Sequence, residues 1–162
     1  MTFKRRPVVV GNWKMNLSLT EATELARSLL THEGTPTPKE GVVEVGVAPS
    51  TPFLGAVIAV LEGSEIDVSA QHMSHHRSGA HTGESAPNQL ADLGCRYVIL
   101  GHSERRQLYH ETDQQVSLAA RAAHDVGLIP ILCIGETLDQ RDQGDTLNVV
   151  LKQLSAAFSQ LT

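Results

Sequence analysis

The stretch LGHSERR, at residues 100–106, ends an apolar run and then presents a histidine, a serine, a glutamate and two arginines. If Ser103 opens a short helix, His102 lies at the positive end of that helix, where the imidazolium form is disfavoured. A neutral imidazole can donate a hydrogen bond to a carbonyl group without carrying charge. The alternative is that residues 103–106 are only a helix start followed by surface arginines. His102 is therefore a candidate hydrogen-bond donor to a carbonyl group.

The stretch GNWKMN, at residues 11–16, offers a second set of polar side chains. Asn12 can donate or accept a hydrogen bond, and the ammonium of Lys14 suits a phosphate group or a developing oxyanion. Taken alone, a lysine or an asparagine after a strand is usually a solvated loop residue. The two stretches gain weight if the fold brings them to the same edge.

Five short β-branched runs alternate with segments of helical periodicity, which is the pattern of a parallel sheet. The predicted strands are residues 7–11, 42–48, 66–71, 97–101 and 128–135. The first predicted helix begins with a capping box, Ser18 and Glu21, and continues with Leu25, Leu29 and Leu30 on one face. The other predicted helices are residues 52–61, 86–93, 113–126 and 146–161. A left-handed residue is expected after three of the helices, at Gly63, Gly94 and Gly127.

The strand ends recur about every 31 residues. Five such units give the length of a flavodoxin-like open sheet, whereas the eight units of a (βα)8 barrel need roughly 250 residues. Pattern and length alone favour the open sheet, with residues 1–162 as a single domain. In either architecture, the residues just after the carboxyl ends of the strands share one rim, where ligands bind. The two stretches above, the segment 71–84 and Glu136 are all predicted to lie on that rim.

The composition, 41% hydrophobic and 19% charged, is that of a soluble globular protein. A net charge of -5 without a basic stripe argues against a nucleic-acid partner. The apolar run at residues 8–10 is too short for a signal peptide or a membrane span, so we expect a cytoplasmic protein. Cys95 and Cys133 lack CxxC spacing and lie in strand-like surroundings, which predicts buried reduced thiols and no disulfide or zinc site.

Four segments together resemble the triosephosphate isomerase family, in that family's order and at about its spacing. They are residues 11–16, the GAHTGE segment at 79–84, residues 100–106 and the CIGETLDQRDQG segment at 133–144. The resemblance implies a TIM (βα)8 barrel, of which about five of the eight units are present, and so overrules the open sheet. A flavodoxin-like phospho-acceptor or nucleotide binder would need an aspartate or a glycine-rich phosphate motif after an early strand, and GNWKMN supplies neither.

The same resemblance implies an isomerase of glycolysis and gluconeogenesis, which interconverts dihydroxyacetone phosphate and glyceraldehyde 3-phosphate through an enediolate without cofactor or metal. Asn12, Trp13 and Lys14 correspond to the substrate-binding segment, and Lys14 is also catalytic because it offsets substrate charge. His102 corresponds to the catalytic electrophile that polarises the carbonyl, a group known to be neutral in this family. The supporting residues of the site are Ser103, Glu104 and Cys133.

The segment 71–84 resembles the family's dimerisation loop. The resemblance implies a homodimer in which Thr82 lies near Asn12 and Lys14 of the partner subunit, and in which Arg105 pairs with Glu84 of the partner subunit. The loop also carries four histidines, which are common metal ligands, but no nearby cysteine or aspartate completes a ligand set. We expect these side chains, His72, His75, His76 and His81, to pack at the interface and to make association sensitive to mild acid.

The sequence ends at Thr162, before the sixth strand on which the family carries its catalytic glutamate. We expect neither Glu104 nor Glu136 to replace that group, so this chain alone is expected to be inactive unless completed. Two explanations follow. The favoured one is that the chain is part of a longer isomerase, and the alternative is a non-catalytic barrel fragment that assembles with itself or with a complementary chain.

Overall fold

The computed structural model describes residues 5–31 and 43–160, and in them strands and helices alternate as the sequence predicts. The elements are β1 (Val8–Asn12), α1 (Leu19–Thr31), β2 (Glu44–Ala48), α2 (Leu54–Leu61), β3 (Ile66–Ala70), α3 (Pro87–Leu93), β4 (Tyr97–Leu100), α4 (Ser103–Leu108), α5 (Asp113–Asp125), β5 (Ile129–Leu132), α6 (Leu138–Asp142) and α7 (Thr146–Phe158). A short 3-10 turn, Thr51–Phe53, precedes α2.

The five predicted strands and the five predicted long helices are confirmed, with ends that differ by a few residues. The predicted ends at residues 42 and 161 lie outside the described residues. Two short helices are added: α4, which the sequence left open, and α6, which it missed. β5 is shorter than predicted because the chain leaves the strand after Leu132, so Cys133 lies in the following loop.

The chain divides into two compact units, and the first contains the described residues of Met1–Gln71 and Asp92–Tyr97. In it β1, β2 and β3 are parallel neighbours in that order, with Asn12 opposite Ala48 in the register. α1 packs against α2, and α2 packs against β3. Val8 and Val9 of β1 are 47% and 60% exposed, although strands of a parallel sheet usually have both faces covered.

The capping box at the start of α1 is confirmed, but the predicted leucine face is not the face that the helix buries. The Glu21 carboxylate accepts hydrogen bonds from the backbone N–H of Ser18 at 2.7 Å and from its hydroxyl at 2.8 Å. Ala22 and Ala26 are fully buried, whereas Leu25 and Leu30 are exposed. The buried face of α1 is therefore formed by the small alanine side chains, which allow close packing, and not by these two leucines.

The second unit contains His72–Ala91 and the described residues of Val98–Thr162. β4 and β5 are neighbours here, and the amide of Cys133 donates to the carbonyl of Leu100 at 2.9 Å. α5 packs against β5 and α7 with an alanine-rich buried face.

Gly63, Gly94 and Gly127 have positive φ angles of 76°, 105° and 82°, as the helix ends require. That residues 1–162 form a single domain stays a prediction.

The two cysteines differ in burial, which corrects half of the prediction for them. Cys95 is buried, and this burial raises the pKa of its thiol to about 11. Cys133 is only half-buried, because it follows the end of β5 and faces a cavity. Cys95 is thus the inert thiol that the sequence predicts. Across residues 5–31 and 43–160, no helix has the length and apolar character required to span a bilayer.

Candidate active site

The segment Asn12–Lys14 forms a tight turn at the carboxyl end of β1. The amide of Trp13 donates to the carbonyl of Ala48 at 3.0 Å, which continues the pairing of β1 with β2 by one residue. The Oδ1 atom of Asn12 accepts from the amide of Lys14 at 3.0 Å. With its oxygen engaged in this turn, Asn12 has its Nδ2 amino group to donate to a ligand.

Lys14 itself has an unusual backbone conformation. Its φ angle is 58°, in the left-handed region that residues other than glycine rarely adopt. Its carbonyl accepts hydrogen bonds from the hydroxyl of Ser50 at 2.9 Å and from Nε2 of Gln71 at 2.8 Å. The sequence analysis placed Gln71 on the rim as the first residue of the segment 71–84, but it assigned no role to Gln71 and did not consider Ser50, which follows β2.

His102 lies in the second unit, directly after the turn that ends β4, and caps the N-terminus of α4. Its Nδ1 atom accepts a hydrogen bond from the amide of Glu104 at 3.2 Å. A ring nitrogen that accepts from a backbone N–H carries no proton, so Nε2 carries the proton of the neutral ring. With Nδ1 engaged in the cap, Nε2 is the ring nitrogen that can donate to a ligand.

The supporting residues Ser103 and Glu104 form the first turn of α4, with both side chains exposed. The Glu104 carboxylate lies 3.4 Å from Nδ1 of His102. That contact is an ion pair only when the ring is protonated, because Nδ1 of the neutral ring is an acceptor.

A cavity of about 590 Å³ opens beside His102 in this unit. Its wall includes His102, Ser103, Arg106, Cys133 and Glu136. The volume is within the range of small-molecule sites. The structure thus places the second unit's predicted site residues His102, Ser103 and Cys133 around one concavity.

Arg106 is a half-buried residue beside the cavity, to which the sequence analysis assigned no role and for which it left open a place on the surface. Its guanidinium donates to the carbonyl of Gly101 at 2.7 Å and to that of Cys133 at 3.3 Å, and it pairs with Asp113 at 2.5 Å. Its side chain is only 17% exposed. These bonds join the ends of β4 and β5 and fix the turn that carries His102.

Glu136 anchors its own loop. The side chain is 7% exposed and pairs with Arg141 at 2.7 Å, while the Thr146 hydroxyl donates to it at 3.2 Å. Its backbone amide and then Arg141 hold the pKa of this carboxyl below its usual range. A carboxylate stabilised in its ionised form and tied to two neighbours is a weak base. This geometry fits the expectation that Glu136 does not perform the proton transfer.

Two of the predicted interface residues, Glu84 and Arg105, contact groups of the same chain. Glu84 lies 3.3 Å from Nε2 of His72, and Arg105 lies 3.5 Å from Glu111. Thr82 is exposed in the outer part of the loop. Within residues 5–31 and 43–160, no group of three or more histidine, cysteine or acidic side chains has the geometry to hold a metal ion.

The comparisons with known proteins identify the family. The sequence profile described as triosephosphate isomerase matches residues 7–162. The chain belongs to the triosephosphate isomerase family. Relatives with that name come from Nitrosococcus oceani, 50% identical over 155 residues that cover 95% of this chain, and from Dechloromonas aromatica, 45% identical over 161 residues that cover 97%. A third, from Pseudomonas entomophila, is 48% identical over 155 residues.

The chain spans about 60% of the length of these triosephosphate isomerases. The fold is accordingly part of a TIM barrel, with five of its βα units in this chain. The argument from length, which favoured an open sheet, is wrong because it took five units as the complete count. The strand spacing gives the repeat unit correctly, but it does not give the number of repeats.

Proposed function

We propose that the whole protein is a triosephosphate isomerase, which interconverts dihydroxyacetone phosphate and glyceraldehyde 3-phosphate by moving a proton between adjacent carbons. The observation that carries the proposal is the capping of α4 by His102, which leaves Nε2 as a neutral donor. The names of the relatives from three bacteria support the same activity. The reaction belongs to glycolysis and gluconeogenesis and requires no cofactor in this proposal.

In the proposed reaction, His102 donates a hydrogen bond from Nε2 to the substrate carbonyl. Negative charge grows on that oxygen as the proton leaves the adjacent carbon, so the hydrogen bond strengthens toward the enediolate. A neutral donor suits this step because it stabilises the oxyanion without the need to lose a full charge of its own. The proton transfer itself is assigned to neither Glu104 nor Glu136.

The turn at the end of β1 serves substrate binding in this proposal. The Lys14 ammonium offsets the negative charge of the phosphorylated substrate, and it also acts in catalysis because charge develops on the enediolate. Asn12 donates from Nδ2, since its Oδ1 holds the turn. Trp13 completes the binding segment through its backbone bond to Ala48.

We further propose that the protein is a cytoplasmic homodimer. The support is the family, together with the exposed outer part of the 72–84 loop around Thr82. In the dimer, Thr82 lies near Asn12 and Lys14 of the partner subunit, and Glu84 pairs with Arg105 of the partner subunit. The intrachain contacts of Glu84 and Arg105 leave room for such pairs, because both side chains remain partly exposed.

The decisive test is the substitution His102→Gln in the whole protein, assayed in both directions with the two triose phosphates. We expect kcat to fall about 100-fold or more, while KM changes little, because the lost hydrogen bond is strongest in the transition state. His124→Gln, at an exposed position in the last turn of α5, is the matched control and should retain activity. An inactive wild-type protein, or a His102→Gln variant with unchanged kcat, contradicts the proposal.

A further inference from the structure

The backbone of Lys14 is held from both sides of its peptide. On the amide side, Oδ1 of Asn12 accepts from the Lys14 N–H at 3.0 Å. On the carbonyl side, Ser50 and Gln71 donate to the Lys14 oxygen at 2.9 and 2.8 Å. A residue other than glycine needs such support at a φ angle of 58°, because its Cβ atom makes this conformation unfavourable.

Gln71 contributes the larger share of this support. The same Nε2 group donates to the carbonyl of Ala48 at 2.8 Å, and that carbonyl also accepts from the amide of Trp13 at 3.0 Å. One half-buried amide group therefore joins the turn after β1 to the end of β2, while its own backbone continues from β3. Among residues 5–31 and 43–160, the Ser50 hydroxyl donates to the Lys14 oxygen alone.

We propose that Gln71, assisted by Ser50, is the positioning residue that holds Lys14 in its left-handed conformation and so sets the direction of its ammonium group. The inference rests on the proposed function for its consequence in catalysis. It does not rest on that function for its structural part, since the three hydrogen bonds act on the turn whether or not a substrate is present.

The isosteric substitution Gln71→Glu is the sharpest probe. A carboxylate has no N–H to donate, and its oxygens face the carbonyl oxygens of Lys14 and Ala48, so both hydrogen bonds are lost and replaced by repulsion. Ser50→Ala removes one donor without adding charge and should act in the same direction more weakly. Gln114→Glu, on the exposed first turn of α5, controls for the added negative charge.

The experiment measures two quantities on the whole protein. In the isomerase assay, Gln71→Glu should lower kcat/KM about 10- to 100-fold, the scale expected when a charged group is misplaced by about an ångström. In hydrogen exchange followed by NMR, the Lys14 amide should exchange at least about tenfold faster, while the amide of Val68 in β3 stays within about twofold. A merely structural role would accelerate exchange at both positions.

Two results would overturn the inference: unchanged kcat/KM in an active enzyme, or unchanged exchange of the Lys14 amide. An inactive wild-type protein with faster Lys14 exchange in the variant would instead reject the proposed function and retain the support of the turn by Gln71. If Gln71→Glu does not fold, the same two measurements on Ser50→Ala decide.

Discussion

The proposed chemistry of His102 depends on the hydrogen bond that its Nδ1 atom accepts from the amide of Glu104. Because Nδ1 caps α4, the ring has one defined tautomer, and the donor is Nε2. The position of His102 after β4 could be predicted from the sequence, because an apolar run and a glycine precede it and a serine follows it. The direction of its proton could not, because it depends on whether Ser103 and Glu104 start a helix that His102 itself caps.

Gly101 supplies the clearest stability prediction at the residue scale. Its φ angle is 70°, and a Cβ atom there would lie 2.8 Å from Nη2 of Arg106, 3.0 Å from Val116 and 3.2 Å from the carbonyl oxygen of Cys133. Arg106 cannot yield easily, since it is tied to two carbonyls and to Asp113. We expect Gly101→Ala to lower the free energy of unfolding by about 2–4 kcal/mol, the sum of backbone strain and overpacking.

Urea denaturation measures the loss in the free energy of unfolding. The variant Gly144→Ala separates the contribution of backbone strain from that of overpacking. Gly144 has a similar φ angle of 73°, but nothing lies within 4 Å of its added Cβ. That control should cost only about 1–2 kcal/mol, the backbone contribution. Equal losses in the two variants would show that the close contacts around Gly101 relax and do not constrain the turn.

At the scale of elements, the predictions from sequence succeeded where the signal is local. The capping box of α1 depends on two residues three positions apart, and both of its bonds form. The same signal was present for α6, where Thr137 and Gln140 cap each other's backbone N–H groups at 2.9 and 3.3 Å. The rim argument indicates the position of Ser50 and Gln71, but their hydrogen bonds to Lys14 could not be predicted, because these donors lie 36 and 57 residues away in the chain.

The histidine cluster, defined as His75, His76 and His81, gives the 72–84 loop a pH dependence. The ring centroids of His75 and His76 are 3.9 Å apart, and those of His76 and His81 are 4.0 Å apart. Burial, and then the neighbouring rings of His76 and His81, lower the pKa of His75 below its ordinary value of 6.5, while Glu84 opposes the shift. Nearby charged and titratable groups in the surrounding walls are His72, Arg105 and Glu111.

The sign of the effect follows from linkage. Since the pKa of His75 is lowered in the folded loop, the unfolded loop binds more protons as the pH falls through 6.5. The folded loop is therefore most stable above pH 6.5, the ordinary pKa of His75, and it loses stability as the pH falls below that value. We expect hydrogen exchange of the loop amides, corrected for intrinsic exchange, to accelerate between pH 7.5 and pH 5.5. His75→Gln should reduce this dependence and His124→Gln should not, whereas protection that does not change with pH contradicts the prediction.

For the whole molecule, the sign of the net charge sets a constraint on the site. The chain carries a formal charge of -5, and its proposed substrate is also an anion. The net charge of this chain therefore does not attract the substrate, and we expect a local cation to bind it. We expect Lys14 to supply that positive charge, because its backbone is held in a half-buried turn.

The proposed dimer is tested through Thr82, an exposed residue of the 72–84 loop. Thr82→Arg adds bulk and charge at the predicted contact with the partner subunit, so we expect the whole protein to sediment as a monomer. Thr20→Arg, on the exposed side of α1, should leave the dimer intact. If the histidine cluster lies at the interface, lowering the pH from 7.5 to 5.5 should also raise the dissociation constant, because protonation of His75 is disfavoured in this cluster. An unchanged dissociation constant would show that the histidine cluster does not lie at the interface. A Thr82→Arg variant that remains dimeric would show that the 72–84 loop does not form the interface.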